Sequence, residues 1–199
     1  MSIIDKLLYR TGTCPWWFCF TFDNPLRRLM QNPEDILKGL VHDGDTVLDI
    51  GCGMGYFSLP LAGIVGSSGR VICMDLQDKM LDAVKRRATR AGLVNRIKFI
   101  KCTPETLGLT ETTDFALAFW MVHEVRNKPK FFQEIREVLG DSGKLLLVEP
   151  KLHVTKVAFE ATVSSALAAG FKILYRPNIK ISMAVLLQRS NNRIIKAES

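Results

Sequence analysis

The sequence is poor in the residues that staple small proteins or bind metal. Its five cysteines, at 14, 19, 52, 73 and 102, form no Cys-x-x-Cys pair, and its three histidines do not cluster. That spacing argues against a zinc site or a disulfide framework and for reduced, mostly buried thiols. No metal is expected. No apolar run approaches the ~20 residues needed to span a bilayer, so no membrane span is expected. The N-terminus lacks a signal-peptide pattern, which makes the cytoplasm the expected location. No internal repeat, linker or low-complexity block is present. The remainder is ordinary for a globular chain: 199 residues, 47% hydrophobic and 24% charged, which suits one domain over residues 1–199 with a sizeable core. A net charge of +7 permits an acidic or nucleic-acid partner without requiring one.

The chain is organised around Thr46 to Gly55, TVLDIGCGMG. Val47, Leu48 and Ile50 make a short apolar run that ends in glycines, the pattern of a buried parallel strand. Asp49 sits just inside its carboxyl end. Gly51, Cys52, Gly53, Met54 and Gly55 form a tight turn, and Tyr56 to Val65 reads as a helix, with Pro60 in its first turn and Gly66 as its stop. Strand, glycine turn and helix make a nucleotide-binding βα unit. A dinucleotide fingerprint needs Gly-x-Gly-x-x-Gly, but here the third glycine falls at 55 and position 56 is Tyr. There is no Lys-Ser/Thr pair to hold a triphosphate. The glycines allow close backbone approach to a ligand, and Asp49 supplies negative charge beside them.

The remaining chain alternates strands and helices. Residues 1–30 fall outside the repeat and carry CPWWFCFTF at 14–22, with Trp16, Trp17, Phe18, Phe20 and Phe22. Two readings stand: a cover for an apolar edge, or a lid formed by residues 10–30 over a substrate mouth. Asn32 and Pro33 read as N-cap and first position of a short helix. A second strand, Arg70 to Met74, ends at Asp75, placed to accept the hydroxyl hydrogens of a ribose diol. Leu76 follows, positioned to pack on a base. A helix from Gln77 to Ala91 buries Met80, Leu81, Val84, Ala88 and Ala91. Its Lys85, Arg86, Arg87 and Arg90 read as a solvated face that complements the helix dipole rather than as a nucleic-acid patch. Arg96 to Lys101 is strand three, followed by Thr103-Pro104-Glu105-Thr106. Asp114 to Phe119 is strand four and continues into Trp120-Met121-Val122-His123-Glu124. Lys128 to Leu139 is a helix, and Gly140 to Gly143 a turn into strand five, Lys144 to Val148, which ends at Glu149 and leads to His153. A helix from Thr155 to Ala169 presents Phe159, Val163 and Leu167. Phe171 to Tyr175 and Ile181 to Gln188 are closing strands. Residues 190–199 read as a polar, frayed end.

With LDIGCGMG, Asp75 ending strand two and the closing strand pair, residues 33–189 resemble a compact class I S-adenosylmethionine (AdoMet) methyltransferase. The resemblance implies an α/β, Rossmann-like, doubly wound seven-stranded sheet, mostly parallel with its last strand antiparallel, and AdoMet held across the carboxyl ends of its strands. It implies cofactor contacts from Asp49, Gly51, Cys52, Gly53, Gly55, Tyr56, Asp75, Leu76, Thr103, Pro104, Glu105, Phe119 and Trp120. Thr103 stands where the family usually has an acidic residue, leaving backbone groups or Glu105 to meet the adenine amino group. The end of strand four would border both the methionine and the acceptor, with His123 and Glu124 as catalytic candidates and Glu149 and His153 as further carboxyl-end candidates for a base.

No Asn/Asp-Pro-Pro-Tyr/Phe follows strand four and no Pro-Cys nucleophile occurs there, which disfavours common classes of nucleobase methylation. A small-molecule acceptor is the leading expectation, ahead of RNA or protein. A nicotinamide oxidoreductase or a non-catalytic binding module are rivals from other classes; Tyr56 in place of glycine and the closing strand pair weigh against the first, and the intact glycines and Asp75 against the second. The sequence does not set the oligomeric state.

Overall fold

A computed structural model of the chain describes residues 25–190. The aromatic run at 14–22, and the lid reading attached to it, lie outside the described residues. In chain order the elements are α1 (Pro25–Met30), α2 (Pro33–Leu37), β1 (Thr46–Ile50), α3 (Ser58–Ile64), β2 (Arg70–Asp75), α4 (Asp78–Arg90), β3 (Ile97–Lys101), β4 (Thr113–Phe119), α5 (Lys128–Val138), β5 (Leu139–Pro150), α6 (Lys156–Ala168), β6 (Phe171–Tyr175) and β7 (Ser182–Arg189). The strands form one sheet in the order β3-β2-β1-β4-β5-β7-β6. Strands β1 to β5 pair in parallel, and β7, the last in the chain, runs antiparallel to both β5 and β6. This is the expected doubly wound sheet.

The apolar run of β1 is explained by its central place. Side chains alternate across a strand. Val47 therefore joins Val71, Phe115 and Leu117 in the core under α2, α3 and α4. Leu48 and Ile50 join Ile72, Ala116 and Leu147 in the core under α5 and α6. Burying each such side chain contributes roughly 1.5–3 kcal/mol, so a carboxylate in this strand is costly. Asp49 is nonetheless buried, with 3% exposure.

Asn32 caps a helix as expected, and Asn127 and Thr155 prove to be caps as well. Asn32 accepts the Glu34 N–H, Asn127 the Lys130 N–H and Thr155 the Ala158 N–H. Three local readings are corrected. Gly140 to Gly143 is not a free turn but the bulged start of β5, with the register to β4 shifting between Thr113 and Phe115. Leu167 is 40% exposed, because α6 buries Phe159, Thr162, Val163 and Ala166 instead. Ala91 caps α4 from the exposed side rather than packing beneath it. Residues 25–30, read with the N-terminal segment, form a helical turn of their own.

Candidate active site

β1 lies between β2 and β4. Its connection leaves to one side through α3 to β2, while β4 closes the other side. Sheets of this kind bind ligands in the crevice at that switch point, beyond the carboxyl ends of the strands. The glycine turn sits there. Its path is set by backbone contacts: the Cys52 N–H donates to Met74 O at 3.0 Å and the Gly55 N–H to Cys52 O at 3.0 Å. Gly53 has φ +53° and nothing within 4 Å of where a Cβ would stand, so its surface is open for close ligand approach. Gly55 differs. With φ +88°, a Cβ there would meet Leu59 at 2.9 Å and Val84 at 3.1 Å, so this glycine serves the packing of α3 against α4. A Cβ on Gly51 would come within 3.0 Å of Met121, which lies in the turn after β4.

Two carboxylates flank the turn. Asp75 Oδ2 accepts the Gly53 N–H at 3.0 Å and its Oδ1 accepts the Gln77 N–H at 2.9 Å. Burial raises its pKa, and those backbone donors counter part of the rise. A carboxylate offers four lone-pair sites, so these backbone donors leave acceptor capacity for a ribose hydroxyl. Asp49 Oδ2 accepts the Ser58 hydroxyl hydrogen at 2.6 Å. Burial pushes the Asp49 carboxyl up to about 7, the Ser58 bond opposes this, and the Asp75 charge adds to it. A positive group arriving nearby would bring Asp49 back to its ionised form.

The thiols beside the turn stay protonated. The Cys52 pKa is raised by its contact with Cys73 and by burial, and burial pushes Cys102 up to about 11. Among the described residues, no three His, Cys, Asp or Glu side chains cluster as a metal site would need.

Beyond β4 the chain turns sharply. Trp120 has φ +60°, a conformation that strains a non-glycine residue by roughly 1–3 kcal/mol and that gathers at functional sites. The strain is held by the Trp120 N–H on Val148 O at 2.8 Å and the indole Nε1–H on Ser182 Oγ at 3.0 Å. Phe119, Trp120, Tyr56 and Phe57 then form one aromatic wall, with Phe57 and Phe119 rings 4.3 Å apart and Phe119 and Trp120 rings 5.6 Å apart. The Arg27 guanidinium lies 4.1 Å above the Tyr56 ring and 5.0 Å from that of Trp120. His123 follows in a 3-10 turn, Val122–Glu124. Its ring Nδ1 is 2.6 Å from Glu149 Oε2, and its backbone N–H donates to Glu149 Oε1 at 2.8 Å.

The structure therefore gathers Asp49, Gly51, Cys52, Gly53, Gly55, Tyr56, Asp75, Phe119, Trp120 and His123 around one strand edge. Leu76 is half-buried beside them, directly after Asp75. Glu124 is in the same turn as His123, half-buried, and its charge helps raise the His123 pKa. Thr103, Pro104 and Glu105 form an exposed tight turn that reaches the site through the Cys102 N–H on Asp75 O. His153 is exposed and stays apart.

Sequence reasoning missed several supports. Gln31, 1% exposed, donates to Ser182 Oγ and accepts the Arg27 Nε–H, while its carbonyl accepts the Tyr56 hydroxyl. Arg87, read as part of a solvated basic face, instead donates to Met54 O at 2.9 Å and steadies the glycine turn. Neither role leaves a local sequence signal, because the partners are distant in the chain.

Comparison with known proteins points the same way. Residues 47–143 match the family described as "Methyltransferase domain". A ubiquinone/menaquinone biosynthesis C-methyltransferase from Francisella tularensis is 31% identical over 117 residues, covering 58% of this chain and 47% of that protein. A probable cobalt-precorrin-6B C(15)-methyltransferase (decarboxylating) from Saccharolobus solfataricus is 27% identical over 154 residues, covering 77% of this chain and 72% of that protein. The chain thus spans about half the length of the quinone-biosynthesis relatives it matches. Among solved structures, a SAM-dependent methyltransferase from Aquifex aeolicus superimposes with a TM-score of 0.79 at 23% identity, covering 88% of this chain and 99% of that one. The glycine turn, the terminal carboxylate of β2 and the strand order are thus those of the methyltransferase fold that these comparisons share, and about half of the chain matches the methyltransferase domain family itself.

Proposed function

We propose that this chain is an enzyme that transfers a methyl group from AdoMet to a small-molecule acceptor at the carboxyl edge of β1, β2 and β4. One observation carries the reading. The Asp75 carboxylate is fastened to the N–H of Gly53, whose outer surface is open. A ribose acceptor is thereby fixed beside a backbone cradle. The residues fit AdoMet better than a phosphate-rich nucleotide. Asp49 and Asp75 place two carboxylates at the turn, which suits a ligand that carries a sulfonium and an ammonium and no phosphate. Bound there, AdoMet supplies an electrophilic methyl group.

The chain's own residues then have distinct tasks. Asp75 holds the ribose, with Leu76 and the Thr103-Pro104-Glu105 turn on the adenine side. Asp49 balances the cationic end. Tyr56, Phe119 and Trp120 exclude water and orient the acceptor, and His123 and Glu124 border it. Positioning two reactants in a dry pocket supplies up to ~7–11 kcal/mol of the barrier in favourable cases. The small-molecule class is supported by the names of the relatives, which are methyltransferases of quinone and precorrin metabolism. We read the location as cytoplasmic on the free thiols of Cys52, Cys73 and Cys102. Among the described residues no helix is long and apolar enough to cross a membrane.

Isothermal titration of the full chain with AdoMet, with its demethylated product and with NAD is the direct test. Binding of the first two and not the third is expected. Binding of NAD alone would overturn the reading. Incubation with methyl-labelled AdoMet and a cell extract then identifies the class of molecule that takes up label.

A further inference from the structure

Resting on that reading, we propose that Glu149 fixes His123 in the Nδ1-protonated tautomer so that Nε2 takes a proton from the acceptor, and that the acceptor is a weakly acidic hydroxyl compound, a phenol or an enol. Glu149 ends β5 and is 1% exposed. Both of its oxygens are spent on one residue: Oε1 on the His123 backbone N–H at 2.8 Å and Oε2 on ring Nδ1 at 2.6 Å. A buried carboxylate is costly unless fully hydrogen-bonded, and this one is bonded in a way that orients an imidazole. With Nδ1–H turned inward, Nε2 lies on the opposite side of the ring and carries the free lone pair. The His123 side chain is 21% exposed, against 1% for that of Glu149, so the imidazole is the partner of the pair that meets the surface. The turn that bears it packs on Gly51 through Met121, which sets it next to the glycine turn.

The charged groups acting on the imidazole are Glu149, Glu124 and Lys128. Burial lowers its pKa and Lys128 opposes protonation, but the hydrogen bond and charge of Glu149, with Glu124, outweigh them and the net shift is upward. The result is a stronger base than a free imidazole. Amines and thiols gain little from such a base, since a neutral amine attacks with its own lone pair and a thiol ionises at a pKa of ~8.5. A phenol at ~10 gains much.

The chemistry balances. The acceptor O–H bond breaks, its proton passes to His123 Nε2, and its electron pair stays on oxygen. That pair, or the enolate carbon or ortho ring carbon to which it delocalises, forms the new bond to the sulfonium methyl while the S–CH3 bond breaks with its pair going to sulfur. Attack through carbon is completed when the displaced hydrogen leaves to solvent as a proton. In this scheme His123 is catalytic and Glu149 is a positioning residue.

Glu149→Gln separates this role from a structural one. Its Oε1 keeps the His123 backbone N–H, and its NH2 then faces Nδ1, which moves the imidazole proton to Nε2. Nitrogen NMR of the full chain is expected to show an unprotonated Nε2 in the neutral ring of the wild type and a protonated one in Glu149→Gln. The same proteins are then given methyl-labelled AdoMet with catechol, 1-naphthol and acetylacetone, and with benzylamine and 2-mercaptoethanol as controls. Label is expected in a hydroxyl compound, falling about 100- to 10,000-fold in Glu149→Gln and in His123→Gln. AdoMet affinity and melting temperature should hold. His123→Gln carries the test alone if Glu149→Gln fails to fold. An unchanged tautomer, full transfer by either variant, or transfer only to the amine or thiol overturns the proposal. If AdoMet binds but no hydroxyl compound is labelled, the acceptor class is wrong and the methyltransferase reading stands. If AdoMet does not bind, that underlying reading fails and the proposal falls with it.

Discussion

Asp75 Oδ2 accepts the N–H of Gly53 at 3.0 Å, so the carboxylate that ends β2 also pins the turn that ends β1. On the function proposed above, one side chain then serves both ligand recognition and the shape of the turn. Replacing Asp75 with Asn should remove charge-assisted bonds worth roughly 1.5–3 kcal/mol each and weaken AdoMet binding by about tenfold or more. Stability should move little, because Asn keeps one acceptor oxygen and the one backbone bond it loses, to Gly53 or Gln77, is offset by relief of a buried charge whose pKa burial raises. Titration calorimetry and a melting curve check both halves. An unchanged dissociation constant would make Asp75 a structural carboxylate only.

Asp49 predicts proton release. Burial raises its folded pKa to about 7, above the ordinary 3.8 of an aspartate. The stability it contributes is thus fully present below about 3.8 and is lost as pH rises to about 7. The gap of about three units corresponds to an upper bound of ~4 kcal/mol. Asp49→Asn should therefore be the more stable protein at pH 8, and the advantage should disappear at pH 4 on denaturant titration. Near pH 7 the unliganded carboxyl is about half protonated, and cationic AdoMet should drive the proton off. Calorimetry in buffers of different ionisation enthalpy would read the release, which should vanish in Asp49→Asn.

The two glycines should separate by phenotype. Gly55→Ala places a methyl 2.9 Å from Leu59 and 3.1 Å from Val84 at φ +88°, so it should lower stability by about 1–3 kcal/mol. Gly53→Ala meets no atom within 4 Å and carries only the strain of its left-handed backbone, about 1–2 kcal/mol. Its larger loss should be in AdoMet affinity, since the new methyl occupies the open cradle. Equal effects of the two on binding and on melting would contradict this division.

Deleting residues 1–24 tests the lid reading without disturbing Gln31 or Arg27. The bonds from Gln31 to Ser182 and from Tyr56 to Gln31 should survive. The shortened chain should stay folded and bind AdoMet but lose transfer to its acceptor. Retention of full transfer would remove the lid from the account, and unfolding would make the segment part of the core.

What could be read in the sequence was local. The apolar run 47–50 marked a strand buried on both faces, the glycines marked the turn, and Asn32 and Thr155 marked helix starts, because caps and turns are settled by neighbours within four residues. Asp75 was legible because β2 ends a fixed distance after the glycine turn. The tertiary structure alone decided which distant groups meet. Glu149 reaches His123 only because β5 lies beside β4. Arg87 holds Met54, and Gln31 holds Ser182, across separations of 33 and 151 residues. The bulged start of β5 likewise follows from pairing, not from Gly140 and Gly143 themselves. Periodicity records which face of an element is buried; it carries no information about which side chain from another element will lie against it, and a proton-transferring pair depends on that contact.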